Sequence, residues 1–187
     1  QLSVVYDNTN PTVVLSTPLN PTNVSPFTVT AKFSENVTGV DISDFAVVNG
    51  APSNFVLVNA TTYTVSVTPS ASPITIDMAA SAAADAATNN STAATQLSVV
   101  YDNTNPTVVL STPLNPTNVS PFTVSAKFSE NVTGVDISDF AVVNGATSNF
   151  VPVNATTYTV SVTPSASPIT IDMAASAAAD AATNNST

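Results

Sequence analysis

Twelve carboxylates and two lysines are the only charged side chains in this sequence, and any ionic chemistry falls to them. The acids form two sets with one spacing: Asp7, Glu35, Asp41, Asp44, Asp77 and Asp85, then Asp102, Glu130, Asp136, Asp139, Asp172 and Asp180. Carboxylates gathered without cations suit two kinds of chemistry. A pair flanking a sugar can act as a glycosidase acid and base, and a larger group can hold Ca²⁺, which takes 6–8 oxygens from carboxylates, amides and backbone. The first use fits poorly, because Asp41 and Asp44 recur unchanged in the second set, as a building block requires, and there is no Trp to stack a sugar. Serine is abundant, but there is no His to activate it. Lys32 alternates outward on its expected strand, which argues against a Ser–Lys dyad and against a Lys–Asn isopeptide bond. No catalytic residue is expected, and the chain is read as not an enzyme.

Composition narrows the partners. A net charge of −10 without a single Arg removes the basic footprint that nucleic-acid binding needs and any attraction to anionic membrane surfaces. Without Cys or His there is no thiolate or imidazole for zinc, haem or iron–sulfur ligation, and no disulfide. No window of 18 apolar residues is present to cross a membrane as a helix. Gln1 opens without a basic-then-apolar leader, so the expectation is a processed or excised segment.

The elements that must position the acids follow from a repeat. Gln1-Leu-Ser-Val-Val-Tyr-Asp7 returns as Gln96–Asp102, and residues 1–92 align with 96–187 with three differences, Thr30/Ser125, Pro52/Thr147 and Leu57/Pro152. A period of 95 residues is the size of a small self-folding domain and too long for a solenoid unit. Within it, period-2 alternation dominates: Phe27, Val29, Ala31 and Phe33 point one way, as do Tyr63, Val65 and Val67, and then Ile74, Ile76 and Met78. Similar runs cover 11–17, 43–49, 53–58 and 95–101, separated by turn residues at 19–26, Asn49-Gly50 and 69–73. Seven short strands per repeat predict an all-β fold of two tandem sandwiches. The Ala-rich stretch 79–87 is too short for a stable helix and reads as a loop. Leu57 is replaced by Pro152 in the fourth strand. Proline cannot donate to a ladder, so that strand is expected at a sheet edge.

The strings Phe33-Ser-Glu-Asn-Val-Thr-Gly39, Asp41-Ile-Ser-Asp-Phe45, Val48-Asn-Gly50 and Thr62-Tyr-Thr64 resemble the bacterial immunoglobulin-like tandem repeats of large cell-surface adhesins. The linker Asp7–Pro11 and the segment Ala84–Asn89 are similar to that pattern too, and the resemblance covers both repeats. The Ala-rich loop departs from it, since the family more often has glycine there. The resemblance implies seven-stranded immunoglobulin-like sandwiches serving as extracellular stalks that space a binding tip from the cell.

Alternating strand directions place the linker and the second-to-third, fourth-to-fifth and sixth-to-seventh connections at one pole. Five of the six acids in each repeat then converge there, with Asp77 left on an outer strand face. Such acids either keep an otherwise neutral surface soluble as solvated loop charges or hold Ca²⁺, for which the candidate ligands are Asp7, Glu35, Asp41, Asp44 and Asp85, and one repeat on Asp102, Glu130, Asp136, Asp139 and Asp180 with Asn103 and Asn131. The second set is expected at the inter-domain junction, and no cofactor other than calcium is expected. Asn-X-Ser/Thr sequons at Asn23, Asn36, Asn59, Asn89, Asn90, Asn118, Asn131, Asn154 and Asn185 are glycosylation acceptors only in a host with the enzyme.

The domain boundaries follow from the repeat. Residues 1–7 read as the last strand of a preceding or neighbouring domain, 8–102 as the first immunoglobulin-like repeat, and 103–187 as a second one that is incomplete without a donated last strand. Leu2, Val4, Val5 and Tyr6 are the candidate donor residues. A whole repeat separates them from the second repeat of their own chain, so neighbouring copies are the expected partners, head to tail. The leading expectation is an extracellular, cell-surface or secreted stalk giving reach and stiffness. A non-covalent filament subunit is the alternative, and a glycan- or partner-binding module the second alternative. Scarce lysine and arginine also leave little for trypsin-like proteases.

Overall fold

The computed structural model describes residues 1–187 and divides into two compact units, Gln1–Asp102 and Asn103–Thr187. In the first, β1 (Val13–Ser16), β2 (Phe27–Phe33), β4 (Gly50–Asn59) and β5 (Thr62–Pro69) form a sheet in the order β1-β2-β5-β4, while β3 (Ala46–Val48), β6 (Ile74–Asp77) and β7 (Leu97–Val99) form a second in the order β3-β6-β7. This is the strand distribution of an immunoglobulin-type sandwich. In the second unit, β8 (Val108–Ser111), β9 (Phe122–Phe128), β11 (Gly145–Asn154) and β12 (Thr157–Pro164) repeat the four-stranded sheet. Its opposing sheet holds only β10 (Phe140–Val143) and β13 (Thr170–Met173). Residues 103–187 contain no counterpart of β7.

Alternation explains the core. In β2 the buried set is Phe27, Val29, Ala31 and Phe33, and in β5 Tyr63, Val65 and Val67. These two strands pair antiparallel with Val29 opposite Val65 and Ala31 opposite Tyr63, so one face of the central pair is wholly apolar. Phe33 packs edge-on to Tyr63 at 5.8 Å between ring centroids, and Phe55 stacks on Tyr63 at 5.9 Å. The Tyr63 hydroxyl reaches out of this cluster and donates to the Val37 carbonyl at 2.8 Å. That bond fixes the β2–β3 connection, which carries Glu35, against the core.

The fourth strand is an edge in both units, and Pro152 sits in β11 opposite Tyr158 beside two register shifts. A missing N–H therefore costs no ladder to a further strand. The Ala-rich segment is a loop, as expected. Ala82 and Ala83 are buried, and Ala84 bridges to both Thr38 and Asn90. Small side chains let this segment close over the sandwich end.

The third strand starts later than alternation suggested. Ile42–Asp44 is a 3₁₀ turn, and β3 begins only at Ala46. Asp41 caps the turn by accepting from the Ser43 N–H, and the Asp44 carboxylate accepts from the Asp41 N–H at 2.8 Å. This reciprocal capping box outcompetes the strand. Beyond β3, Asn49 takes a positive φ of 61°. Gly50 then brings its Cα so close to β5 that an added Cβ would stand 3.0 Å from the Thr68 carbonyl oxygen.

Candidate metal centre

The residues that carry ionic chemistry lie on three connections of the first unit. Asp7 is on the segment before β1, Glu35 follows β2 and Asp85 is in the Ala-rich loop after β6. Each offers one carboxylate oxygen, and these oxygens all lie within 4.8 Å of one another. Three oxygens no farther apart than this share a centre at most about 2.8 Å from each, close to the 2.3–2.6 Å of a Ca²⁺–oxygen bond. An open cavity of ≈ 500 Å³ adjoins the group, lined also by Val5, Asn36, Ala86 and Ala87.

Asp85 is held by its own loop. The Asn89 N–H donates to Asp85 Oδ1 at 2.8 Å and the Asn89 Nδ2 donates to Oδ2 at 2.8 Å. Thr88 takes a positive φ of 68°, and its N–H donates to the Asp85 carbonyl at 3.2 Å. The Asn89 side-chain bond above all, with the backbone N–H groups of residues 87–89, holds the Asp85 carboxyl below its usual range against the effect of burial. Asn89 Nδ2 also donates to the Asp7 carbonyl at 3.2 Å, tying the entering segment to the loop. Glu35 is pushed above the usual range, first by partial desolvation and then by the charges of Asp7 and Asp85. It is the acid whose ionisation the other two oppose, and a cation among them reverses that cost.

Asn89 is the site residue that the sequence reading passed over except as a glycosylation acceptor. The legible signal is an Asp followed four residues later by Asn in a small-residue loop, Asp85-Ala-Ala-Thr-Asn89.

The other candidate ligands are placed as follows. Asp41 and Asp44 do not join the group but close the capping box. Ser43 donates from both its hydroxyl and its N–H to Asp41 Oδ1, at 2.6 and 2.7 Å. The hydroxyl bond first and the Ser43 N–H second hold the Asp41 carboxyl low. Asp136 and Asp139 build the same box in the second unit. Asp180 is buried there and carries the same clamp, with Asn184 donating to both carboxylate oxygens at 2.8 Å. Glu130 is half-buried just beyond β9. Asp102 follows β7, and its N–H donates to the Thr22 carbonyl at 3.0 Å. Asp77 lies apart on β6, where Gln96 Nε2 donates to it at 2.7 Å. Lys32 and Lys127 are exposed on β2 and β9.

Among the sequon asparagines, Asn36, Asn59, Asn90, Asn118, Asn131, Asn154 and Asn185 are exposed and Asn23 is half-buried. Asn59 and Asn154 use their side-chain oxygens within the turn, accepting from Thr61 and Thr156. The donor candidates Leu2, Val4, Val5 and Tyr6 are exposed and belong to no sheet.

A family profile described as a bacterial Ig-like domain matches residues 7–101 and again 102–187. The chain belongs to the bacterial Ig-like domain family. No curated protein matches it. The two Ig-like matches cover nearly the whole chain and agree with the strand order, so the resemblance drawn from Phe33–Gly39 and Asp41–Phe45 holds. Bacterial Ig-like domains commonly occur in extracellular or surface proteins and are typically structural modules without enzymatic activity.

Proposed function

We propose that this chain is a structural segment of a repetitive extracellular protein, a stalk whose repeats supply reach and stiffness, and that its acid pole takes Ca²⁺. The observation that supports the stalk is the repeat itself: two Ig-like units that differ at three aligned positions, each with a core of its own. A dedicated recognition site gains from variation between copies, whereas a spacer gains from number. Force spectroscopy on tandem copies tests this. Each completed Ig-like unit is expected to yield in one equal step, since 95 residues extend to at most about 310–340 Å. Unequal, gradual lengthening, or tight binding to a defined glycan on an array, would contradict it.

The calcium reading rests on the Asp7, Glu35 and Asp85 oxygens and on the upward push that Glu35 suffers from its neighbours. Calcium at ten times its Kd would stabilise the protein by about 1.4 kcal/mol. Replacing Glu35→Gln together with Glu130→Gln, the same position one repeat on, is expected to abolish the calcium-dependent rise in Tm.

The pH dependence has a definite sign. Glu35 binds its proton more tightly in the folded, metal-free protein, so its contribution to stability is present below the ordinary Glu range and lost as pH rises through its raised value. Asp85 behaves oppositely: its contribution is present above the ordinary Asp range and lost as pH falls through its depressed value. Protons compete with calcium for Glu35, so calcium affinity should fall as pH drops through the raised Glu35 range. Identical melting curves in EDTA and in millimolar calcium at neutral pH would end the calcium reading.

A further inference from the structure

In the first unit β7 lies at the end of its sheet, paired with β6 through Val99 opposite Ile74 and Leu97 opposite Ile76. Its other edge is held by the segment that follows β1. Thr22 lies beside Tyr101 as a parallel bridge, its N–H donating to the Val100 carbonyl and its carbonyl accepting from the Asp102 N–H, both at 3.0 Å. Two residues earlier a side chain takes over. Asn20 Nδ2 donates to the Ser98 carbonyl at 2.7 Å, and Asn20 Oδ1 accepts from the Val100 N–H at 2.9 Å. The Asn20 amide thus makes the two bonds that a backbone unit opposite Val99 would make, and the parallel ladder runs on in register to Thr22. The Ser72 hydroxyl accepts from the Tyr101 N–H at 3.0 Å. Asn20, Thr22 and Ser72 together read the backbone of this strand.

The direction of the two segments gives these bonds a mechanical meaning. β1 pairs with β2 in the four-stranded sheet, so Asn20–Thr22 ties that sheet to the edge of the other. Tension applied between the segment before β1 and the segment after β7 draws Asn20–Thr22 one way and Ser98–Asp102 the other. The segments are parallel, so the two Asn20 bonds and the two Thr22 bonds are sheared together. A hairpin pulled apart at its open end gives up its bonds one after another instead.

We propose that the Asn20 side chain and the Thr22 backbone form a mechanical latch on β7, the contact whose rupture sets how fast this unit opens under load. The use of such a latch rests on the stalk reading, since a spacer must hold under tension, but its existence is measured without that reading. It involves none of the acid-pole carboxylates Asp7, Glu35 and Asp85, so it is independent of calcium.

Optical-tweezers unfolding of the full chain tests the latch. The sequence holds no cysteine, so Asn8→Cys and Asn103→Cys place handles at exposed positions on either side of the first unit. Asn20→Asp keeps the acceptor for the Val100 N–H but turns an oxygen toward the Ser98 carbonyl. At neutral pH it should open about tenfold faster under constant load than the handled parent. Below about pH 4 the new carboxyl gains a proton to donate, and the gap from the parent at the same pH should close. Asn20→Ala should give a similar acceleration with no recovery in acid. Asn20 is exposed, and circular dichroism checks that both variants fold. Tyr63→Phe removes a bond to the Val37 carbonyl away from the loaded edge. It should lower equilibrium stability yet leave the rate under load within about twofold. Asn20 variants that open at the parent's rate, or no faster than Tyr63→Phe, overturn the latch. Glycan binding that removed the stalk reading would leave these rates as expected.

Discussion

The two units are nearly the same sequence, one with a seventh strand and one without. Around the four-stranded sheet they are interchangeable: Phe27, Val29, Ala31 and Phe33 are buried in one, and Phe122, Val124, Ala126 and Phe128 in the other. Around the second sheet they part. Ile74, Ile76 and Met78 are fully buried, while Ile169, Ile171 and Met173 are only half-buried. The effect crosses the sandwich, since Val13 and Leu15 on β1 are buried and Val108 and Leu110 on β8 are not fully so. With the aligned residues all but unchanged, the absent strand accounts for the difference. A seventh strand of three paired residues therefore seals one whole side of the core, whereas β4 and β11, at the opposite edge of the other sheet, tolerate even a proline.

Completing the second unit should have the largest effect. Appending the residues of 93–102 after Thr187 restores a buried valine and reburies two isoleucines and a methionine. At about 1.5–3 kcal/mol per fully buried aliphatic side chain, stability of that unit should rise by several kcal/mol. Chemical denaturation should then change from two transitions to one. Two transitions that persist unchanged would break the comparison.

A matched core truncation should come next in size. Ile76→Ala is expected to cost about 2–5 kcal/mol, as for other buried isoleucines. Ile171→Ala should cost less than half as much, because that side chain is already partly in water. Equal losses in the two transitions would mean that this side of the core is closed by something else.

Tyr63→Phe and Tyr158→Phe sharpen the comparison from the other side. Both hydroxyls donate to a backbone carbonyl, Val37 at 2.8 Å and Val132 at 2.9 Å. Each change should cost about 0.5–1.5 kcal/mol, and the two costs should agree, because this sheet is complete in both units. The smallest effect is expected from Leu57→Pro in the first unit, within about 0.5 kcal/mol. Leu57 is 59% exposed on an edge strand that already tolerates proline one repeat on.

Much of this was readable before any coordinates. Alternation at Phe27–Phe33 and Tyr63–Val67 specified the central pair, because burying one face imposes a strict period of two. Leu57/Pro152 located the edge, because proline removes a donor whatever surrounds it. The acid pole was legible in part. Strand direction puts connections at one end, but it does not say which carboxylates have other uses. Asp41 and Asp44 are consumed by a local capping box, and the spacing Asp-Ile-Ser-Asp was the available sign of it. Asn20, Thr22 and Ser72 were invisible as strand readers, since their partners lie 29–80 residues away and turn chemistry alone explained their presence.

Hydrogen exchange at β6 and β13 tests the central claim, that a seventh strand paired to the second sheet is what closes this side of the core. The two strands share one sequence, so the chain must be segmentally isotope-labelled and followed by NMR. Amides of Ile169, Thr170 and Ile171 should exchange much faster than those of Ile74, Thr75 and Ile76 in dilute protein. Saturating Gln-Leu-Ser-Val-Val-Tyr-Asp peptide should bring the two sets to similar protection. Equal protection without peptide, or β13 amides that ignore it, would contradict the account.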